Sequence, residues 1–242
     1  CGWKFIDWNM NQGKDGNEPG IQGWNITIWG WLSDGYIPYN PEGATPFGPI
    51  TVQTSENGSW CFNDLLPGVY FVREENRTGW YHTTPYMIRF TILPGTHVKD
   101  VKFGNVPYVC IYGWKFEDID ADGVWDDNEQ GLANWTIVLE GVRADGKPVR
   151  IVMITDENGY YGTCFNVLPG VYLLYEEIKE GWRPTIPAQY EIVIPYAGCP
   201  QIPFYLSYDF ANFKLGKICG WKYEDMDGDG VLDPEDMPIA NW

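Results

Sequence analysis

The chain has 242 residues and carries 33 Asp plus Glu against 16 Lys plus Arg, a formal net charge of −17. That balance argues against nucleic acid or anionic membrane as a partner, and no apolar run approaches the roughly 18–20 residues of a membrane span. Aromatics at 17%, with 28 Gly and 18 Pro, describe a turn-rich β-protein, and two histidines with no nucleophile or phosphate-loop motif disfavour an enzyme.

The first predicted strand is Cys-Gly-Trp-Lys-Phe at 1–5, followed by an acidic loop. Aromatic and β-branched runs come next at 24–31, 69–74 and 87–93, punctuated by Glu-Asn-Gly at 56–58 and Leu-Pro-Gly at 66–68. These read as short strands and turns. The stretch 101–105, Val-Lys-Phe-Gly-Asn, ends the series, and the pattern restarts with Tyr-Gly-Trp-Lys-Phe at 112–116. Its strands recur at 135–141, 151–156, 171–177 and 190–195, and Tyr-Asp-Phe-Ala-Asn at 208–212 matches the earlier ending. A third start, Cys-Gly-Trp-Lys-Tyr, lies at 219–223. Trp3, Trp114 and Trp221 are therefore equivalent, 111 and 107 residues apart.

Units of about 110 residues can each hold a core. The expected architecture is all-β, with tandem Ig-like or prealbumin-like β-sandwich repeats arranged as beads on a string. Repeat 1 spans 1–108, repeat 2 spans 109–216, and 217–242 begins an incomplete third. Trp242 corresponds to Trp135 and Trp24, so the chain is expected to be a segment of a longer repeating protein.

Each start is followed by a twelve-residue loop with oxygens at calcium-ligand spacing. The second is the fullest: Asp118, Asp120, Asp122, Asp126 and Glu129, with Gly123 at the sharp turn and the Val124 carbonyl as a further donor. The third uses Asp225, Asp227, Asp229, Asp233 and Asp236, with the Val231 carbonyl, and departs only by Asp at the last position. The first has Asp7, Asn9, Asn11, Asp15 and Glu18, with the Gly13 carbonyl and Gln12 in place of the glycine. Fewer carboxylates make it the weakest expected site. No helices flank these loops, so they are EF-hand-like in ligand spacing only. Two to three calcium ions per chain are expected.

The segments around Gly113–Gly141, Thr155–Pro187 and Phe210–Asn212 together resemble the SdrD B-like repeats of microbial surface proteins, relatives of the CnaB or prealbumin-like domains. The resemblance covers nearly the whole chain. It implies calcium-stiffened β-sandwich spacers in stalks, adhesins and fibres. In related CnaB domains a strand Lys, a late Asn and an intervening acid form an intramolecular isopeptide bond. The matching residues here are Lys4, Glu74 and Asn105, then Lys115, Glu176 and Asn212. Strand alternation puts Lys4 opposite Trp3 and Phe5. If those aromatics face the core, Lys4 faces solvent, and a surface lysine beside the acidic loop is the favoured reading.

Six cysteines suit an oxidising compartment. Cys61 matches Cys164, Cys1 matches Cys219, Cys110 lies two positions earlier in its unit, and Cys199 has no counterpart. One repeating pattern joins Cys61 to Cys110 and Cys164 to Cys219, stapling units together, and is slightly preferred. Its rival joins Cys1 to Cys61 and Cys110 to Cys164 within units. Sequons at Asn25, Asn57, Asn76 and Asn134 permit glycosylation. The many aromatics raise glycan stacking as a further possibility, although most recur as core residues do.

The expected function is a structural segment of an extracellular filament or surface stalk, cross-linked by disulfides and self-associating or continuing in tandem copies. One route to assembly is lending the terminal strand to a neighbour's sheet. The alternative is a passive spacer of an adhesin or carbohydrate-binding surface protein, with a glycan or a host or neighbouring-cell surface as its ligand.

Overall fold

The computed structural model describes residues 1–33, 44–194 and 204–240, and these contain strands and no helix. Repeat 1 holds β1 (Gly2–Ile6), β2 (Asn25–Leu32), β3 (Thr45–Gln53), β4 (Ser59–Trp60), β5 (Gly68–Glu74), β6 (Trp80–His82), β7 (Met87–Ile92) and β8 (Val101–Pro107). Repeat 2 holds β9 (Val109–Glu117), β10 (Thr136–Arg143), β11 (Pro148–Ile154), β12 (Tyr160–Thr163), β13 (Gly170–Glu176), β14 (Trp182–Pro184), β15 (Gln189–Ile194), β16 (Phe204–Ser207) and β17 (Phe210–Lys214). Each repeat forms two sheets. Their orders are β4-β1-β8-β6 with β3-β2-β5-β7, then β12-β9-β17-β14 with β11-β10-β13-β15.

Period-two burial sets the faces. On β2, Ile26 and Ile28 are buried while Thr27, Trp29 and Trp31 lie on the other face, half-buried. On β5, Tyr70, Val72 and Glu74 face inward together. Trp24, Ile26, Ile28, Tyr70, Val72 and Phe103 make the first core; Trp135, Ile137, Leu139, Tyr172, Leu174 and Phe210 make the second. Each fully buried large apolar side chain contributes about 1.5–3 kcal/mol.

The first and last strands of each repeat are parallel neighbours. Lys4 pairs with Phe103 in the β1–β8 register, and Lys115 with Phe210 in β9–β17. Asn105 and Asn212 lie two residues further on, hence on the same face as those phenylalanines. The Glu-Asn-Gly turns lock the lysine strand from its other side. Gly58 and Gly159 adopt positive φ, and a Cβ on either would strike the Lys4 or Lys115 carbonyl. Gly58 and Gly159 carbonyls also accept from the Lys4 and Lys115 amides, each at 2.8 Å.

β8 runs through Tyr108 directly into β9. At this joint Met10, Val106 and Leu168 are buried together, with Tyr81, Tyr108 and Ala144 packed on them. The Arg143 guanidinium lies 5.0 Å from the centre of the Tyr81 ring. Beyond residue 216, β18 (Tyr223–Glu224) pairs with β19 (Met237–Pro238) around the third loop. Trp221 and Lys222 are exposed there.

Candidate functional sites: buried triads and acidic loops

The most unusual groups in the two cores are charged. Lys4, Glu74 and Asn105 are all buried, as are Lys115, Glu176 and Asn212. The expectation that Lys4 faces solvent is overturned. Alternation holds between Trp3 and Lys4, but the lysine takes the inner side. Phe5 is buried on the opposite face, where the returning acidic-loop segment bridges it through Gly20. In repeat 2 the loop residue Trp125 stacks on Phe116 at 5.1 Å. The aromatics of this strand serve the loop side, which frees the core side for lysine.

Lys4 Nζ donates to Asn105 Oδ1 and, at 3.3 Å, to the Phe103 carbonyl. It stands 2.9 Å from Glu74 Oε2 and 4.3 Å from the centre of the Trp24 ring. Repeat 2 reproduces this: Lys115 Nζ donates to Asn212 Oδ1, lies 3.2 Å from Glu176 Oε2 and 4.7 Å from the Trp135 ring centre. Trp24 and Trp135 are held edge-on by Trp80 and Trp182. Burial lowers both lysines to about 8, against the opposing pull of Glu74 or Glu176. Burial likewise raises Glu176, with Lys115 pulling the other way. Both shifts favour neutral amine beside neutral acid.

The repeats differ around the triads. In repeat 1 His82 Nδ1 lies 2.9 Å from Glu74 Oε1 and 3.2 Å from Asn105 Nδ2, and Nε2 lies 2.7 Å from Asn76 Oδ1. Pro184 takes the place of His82 in repeat 2, each pairing with its triad asparagine in the sheet register. Asn212 Nδ2 is buried without a well-formed hydrogen bond, and its approach to Glu176 is among the smaller influences on that carboxyl. Sequence reading passed over His82 because no second copy exists. Glu74 and Glu176, both named from the sequence, continue the inward alternation of their strands.

The three acidic loops share one backbone. Gln12, Gly123 and Gly230 all have positive φ, as do Met10, Ala121 and Gly228 two residues earlier. Gln12 therefore adopts the glycine conformation, at the cost a side chain bears there. The first carboxylate of each loop accepts from the amide at the turn: Asp7 from Gln12 at 2.9 Å, Asp118 from Gly123 at 2.8 Å, Asp225 from Gly230 at 2.8 Å. The last carboxylate accepts from the ninth residue: Glu18 from Asp15 at 2.9 Å, Glu129 from Asp126 at 3.1 Å, Asp236 from Asp233 at 3.1 Å. Asp236 thus reaches the place of Glu129 despite its shorter side chain.

Ligand atoms of Asp118, Asp120 and Glu129, of Asp120, Asp122 and Asp126, and of Asp225, Asp227 and Asp229 lie within 4.8 Å of one another. An all-oxygen set of this kind fits a hard divalent cation. In the first loop Asn9 and Asn11 amides instead donate to Asp15 Oδ2 at 2.7 and 3.0 Å. There Glu18 Oε1 is buried without a well-formed hydrogen bond; burial, with Asp7 and Asp15 nearby, raises this carboxyl, and the Asp15 and Trp8 backbone amides pull the other way. A cation would supply a further partner.

The disulfides are Cys1–Cys61 and Cys110–Cys164, with Cα atoms 4.0 Å apart in each. The slightly preferred inter-repeat pattern is thus overturned in favour of its rival. The register explains it: Gly2 lies opposite Trp60, and Ile111 opposite Thr163, so each bonded pair closes an adjacent strand pair. Cys219 is exposed and has no disulfide partner among the described residues, outside which Cys199 lies. Among the sequons, Asn25 Nδ2 donates to Glu75 at 2.7 Å, Asn57 and Asn134 lie in exposed turns, and Asn76 meets His82. Disulfides of this kind belong to an oxidising, extracellular setting.

No family model matches the chain. It is 24% identical over 192 residues to serine-aspartate repeat-containing protein F of Staphylococcus epidermidis, covering 74% of this chain and 11% of that protein. Serine-aspartate repeat-containing protein D of Staphylococcus aureus is 25% identical over 194 residues, covering 74% and 13%. Colossin-A of Dictyostelium discoideum is 26% identical over 220 residues, covering 75% and 2%. The chain thus spans a small part of the curated relatives it matches. Among solved structures, shaft pilin SpaA from Lactobacillus rhamnosus GG aligns with a TM-score of 0.34 at 16% identity, covering 84% and 91%. GBS52, the minor pilin of Streptococcus agalactiae, aligns at 0.33 and 14%, covering 86% and 90%. The repeated Gly-Trp-Lys strand, acidic loop, Leu-Pro-Gly turn and closing asparagine, shared in order by both units of a chain with serine-aspartate repeat relatives, support its resemblance to SdrD B-like repeats of the CnaB type.

Proposed function

We propose that the chain is a load-bearing segment of an extracellular stalk or filament, each complete repeat locked by a Lys–Asn isopeptide bond and stiffened by calcium. The observation that carries this reading is the buried Lys–Asn–Glu constellation, present in both repeats. In each, the Nζ lone pair attacks the asparagine Cγ and one N–H proton passes to the glutamate. The Cγ–Nδ2 bond breaks, and Nδ2 leaves with one added proton as ammonia. No oxidant or cofactor is required. The low-dielectric site favours the neutral reactants, and the parallel first and last strands hold them in contact. A bond between those strands shortens the load path: tension entering at Lys4 leaves at Asn105, and β8 hands it to β9 and Lys115. Calcium at the loops would pull the clustered carboxylates together and stabilise the folded form by mass action. At the first loop Met10 carries that rigidity into the joint with Leu168.

Intact mass after complete reduction tests the cross-links. The expected mass is that of the sequence less two molecules of ammonia, and an undiminished mass removes the proposal. Electron microscopy with calcium and with chelator tests assembly. Regular filaments lost in chelator are expected, whereas isolated flexible strings in both conditions would favour a passive spacer.

A second reading has one specific support. On the outer face of repeat 1 Trp29 stacks on Phe71 at 5.7 Å, Trp31 packs edge-on against Phe71, and Arg73 lies over Trp29. The equivalent positions of repeat 2 are Glu140, Leu173, Val142 and Tyr175. A flat aromatic surface suits sugar stacking, so glycan-array binding lost in Trp29→Ala would assign adhesion to repeat 1.

A further inference from the structure

The two triads share every group except one. His82 occupies, in repeat 1 alone, the gap between the acid and the amide nitrogen that must leave. We propose that His82 is a catalytic proton relay for cross-linking repeat 1, carrying the proton from Glu74 to the departing Asn105 Nδ2. The proposal rests on the isopeptide reading above.

The hydrogen bonds fix the tautomer. Asn76 Oδ1 can only accept, so Nε2 carries the hydrogen and donates to it at 2.7 Å. Nδ1 is left with its lone pair toward two groups, Glu74 Oε1 at 2.9 Å and Asn105 Nδ2 at 3.2 Å. Lys4 Nζ is 2.9 Å from the other glutamate oxygen, Oε2. The path is therefore continuous. Nζ bonds to Cγ and gives one proton to Glu74 Oε2. Glu74 gives a proton from Oε1 to His82 Nδ1, and His82 passes it to Nδ2 as the Cγ–Nδ2 bond breaks. One proton leaves the lysine nitrogen, one arrives on ammonia, and Glu74 and His82 end as they began. Imidazole suits this transfer because it gains and loses a proton near neutrality.

Three groups among the described residues stand within hydrogen-bond reach of the His82 ring. Glu74 reaches it from β5, Asn105 from β8 and Asn76 from the segment after β5, while the Tyr86 ring lies 6.1 Å away. Lys4 stands beyond Glu74. The imidazole keeps about a quarter of its side chain exposed, enough for a small molecule to enter the space it would vacate. In repeat 2 Pro184 offers no such group and Asn212 Nδ2 has no well-formed partner, so Glu176 must deliver its proton unaided.

The test follows ammonia loss over time in the full chain, newly made by pulse-labelled cell-free synthesis so that the cross-links form during the measurement, by peptide mapping that separates the Lys4–Asn105 and Lys115–Asn212 cross-links. His82→Ala is expected to slow the first bond on the order of 100-fold, leave the second unchanged, and regain rate with added imidazole. An unchanged first bond, or a slowed one that imidazole does not rescue, overturns the relay while the cross-link itself stands. If neither bond forms in the parent chain, the isopeptide reading fails and takes the relay with it. Should His82→Ala not fold by hydrogen exchange, Pro184→His decides: a faster second bond supports the relay, and an unchanged one overturns it.

Discussion

Repeats 1 and 2 share a scaffold and differ in the charge placed on it. Trp24 and Trp135, Tyr70 and Tyr172, Phe103 and Phe210 fill the same core positions, and both repeats bury a lysine, a glutamate and an asparagine. What changes is the company these groups keep. Glu74 has His82 as a second basic neighbour, whereas Glu176 has Lys115 alone. The first acidic loop is threaded by asparagine amides and the second by carboxylates. Geometry that must hold strands in contact is repeated closely, while the groups proposed to move protons or bind cations vary.

The largest break in this comparison comes from deleting the lysines. Lys115→Ala leaves Glu176 buried with no basic partner and removes the proposed cross-link, at a cost of about 3–5 kcal/mol for the orphaned acid alone. Lys4→Ala leaves Glu74 within 2.9 Å of His82, so its cost should be smaller by about 1–2 kcal/mol. Denaturant titration with hydrogen exchange resolves the repeats. Equal losses would mean that His82 does not support Glu74.

Acidity sharpens the same contrast. Neutral lysine with protonated glutamate carries as many protons as the charged pair, so the reactive form keeps a constant share between the two apparent pKa values of the triad. Above about 8 Lys115 and its acid together lose a further proton. The amine stays neutral, but the acid that must protonate the leaving nitrogen is gone. Formation of the second bond should be flat below that point and fall about tenfold per pH unit above it. A rate that climbs steadily through pH 8–10 would show that the lysine proton, not the acid, limits the reaction.

Much of this was legible from residues alone, for physical reasons that can be named. The runs at 24–31, 69–74, 135–141 and 171–177 are rich in aromatic and β-branched residues between turn signals, and each became a strand. The loops declared their oxygens by spacing. The facing of Lys4 is not fixed by alternation, which says which residues share a face, not which face is inside. That was decided by the acidic loop, which folds back over Phe5 and Phe116 and gives the strand two buried sides. The disulfide pairing depended on β1 lying beside β4, a neighbour relation that cysteine spacing does not contain. His82 escaped notice because reading by repetition discards what occurs once.

The smallest effect, and the finest probe of the comparison, concerns the cation. Asn9 and Asn11 donate to Asp15, so the first loop is already held together by hydrogen bonds when empty and has little repulsion for a cation to relieve. Asp120, Asp122 and Asp126 crowd their oxygens within 4.8 Å, and aspartates stand where the first loop has Asn9 and Asn11. Repulsion between such charges is about 1 kcal/mol per pair even in water, and a divalent ion turns it into attraction. Chelator should therefore lower the melting temperature of repeat 2 more than that of repeat 1. Converting Asn9 and Asn11 to Asp should narrow the gap, tightening calcium at the first loop about tenfold, or about 1.4 kcal/mol, while loosening that loop in chelator. Calorimetry of the double variant reads both terms. Were its affinity no greater than the parent's, the loops would be acidic turns stabilised by their own backbone amides, and the rigidity of the joint at Met10 would have to come from packing with Leu168 alone.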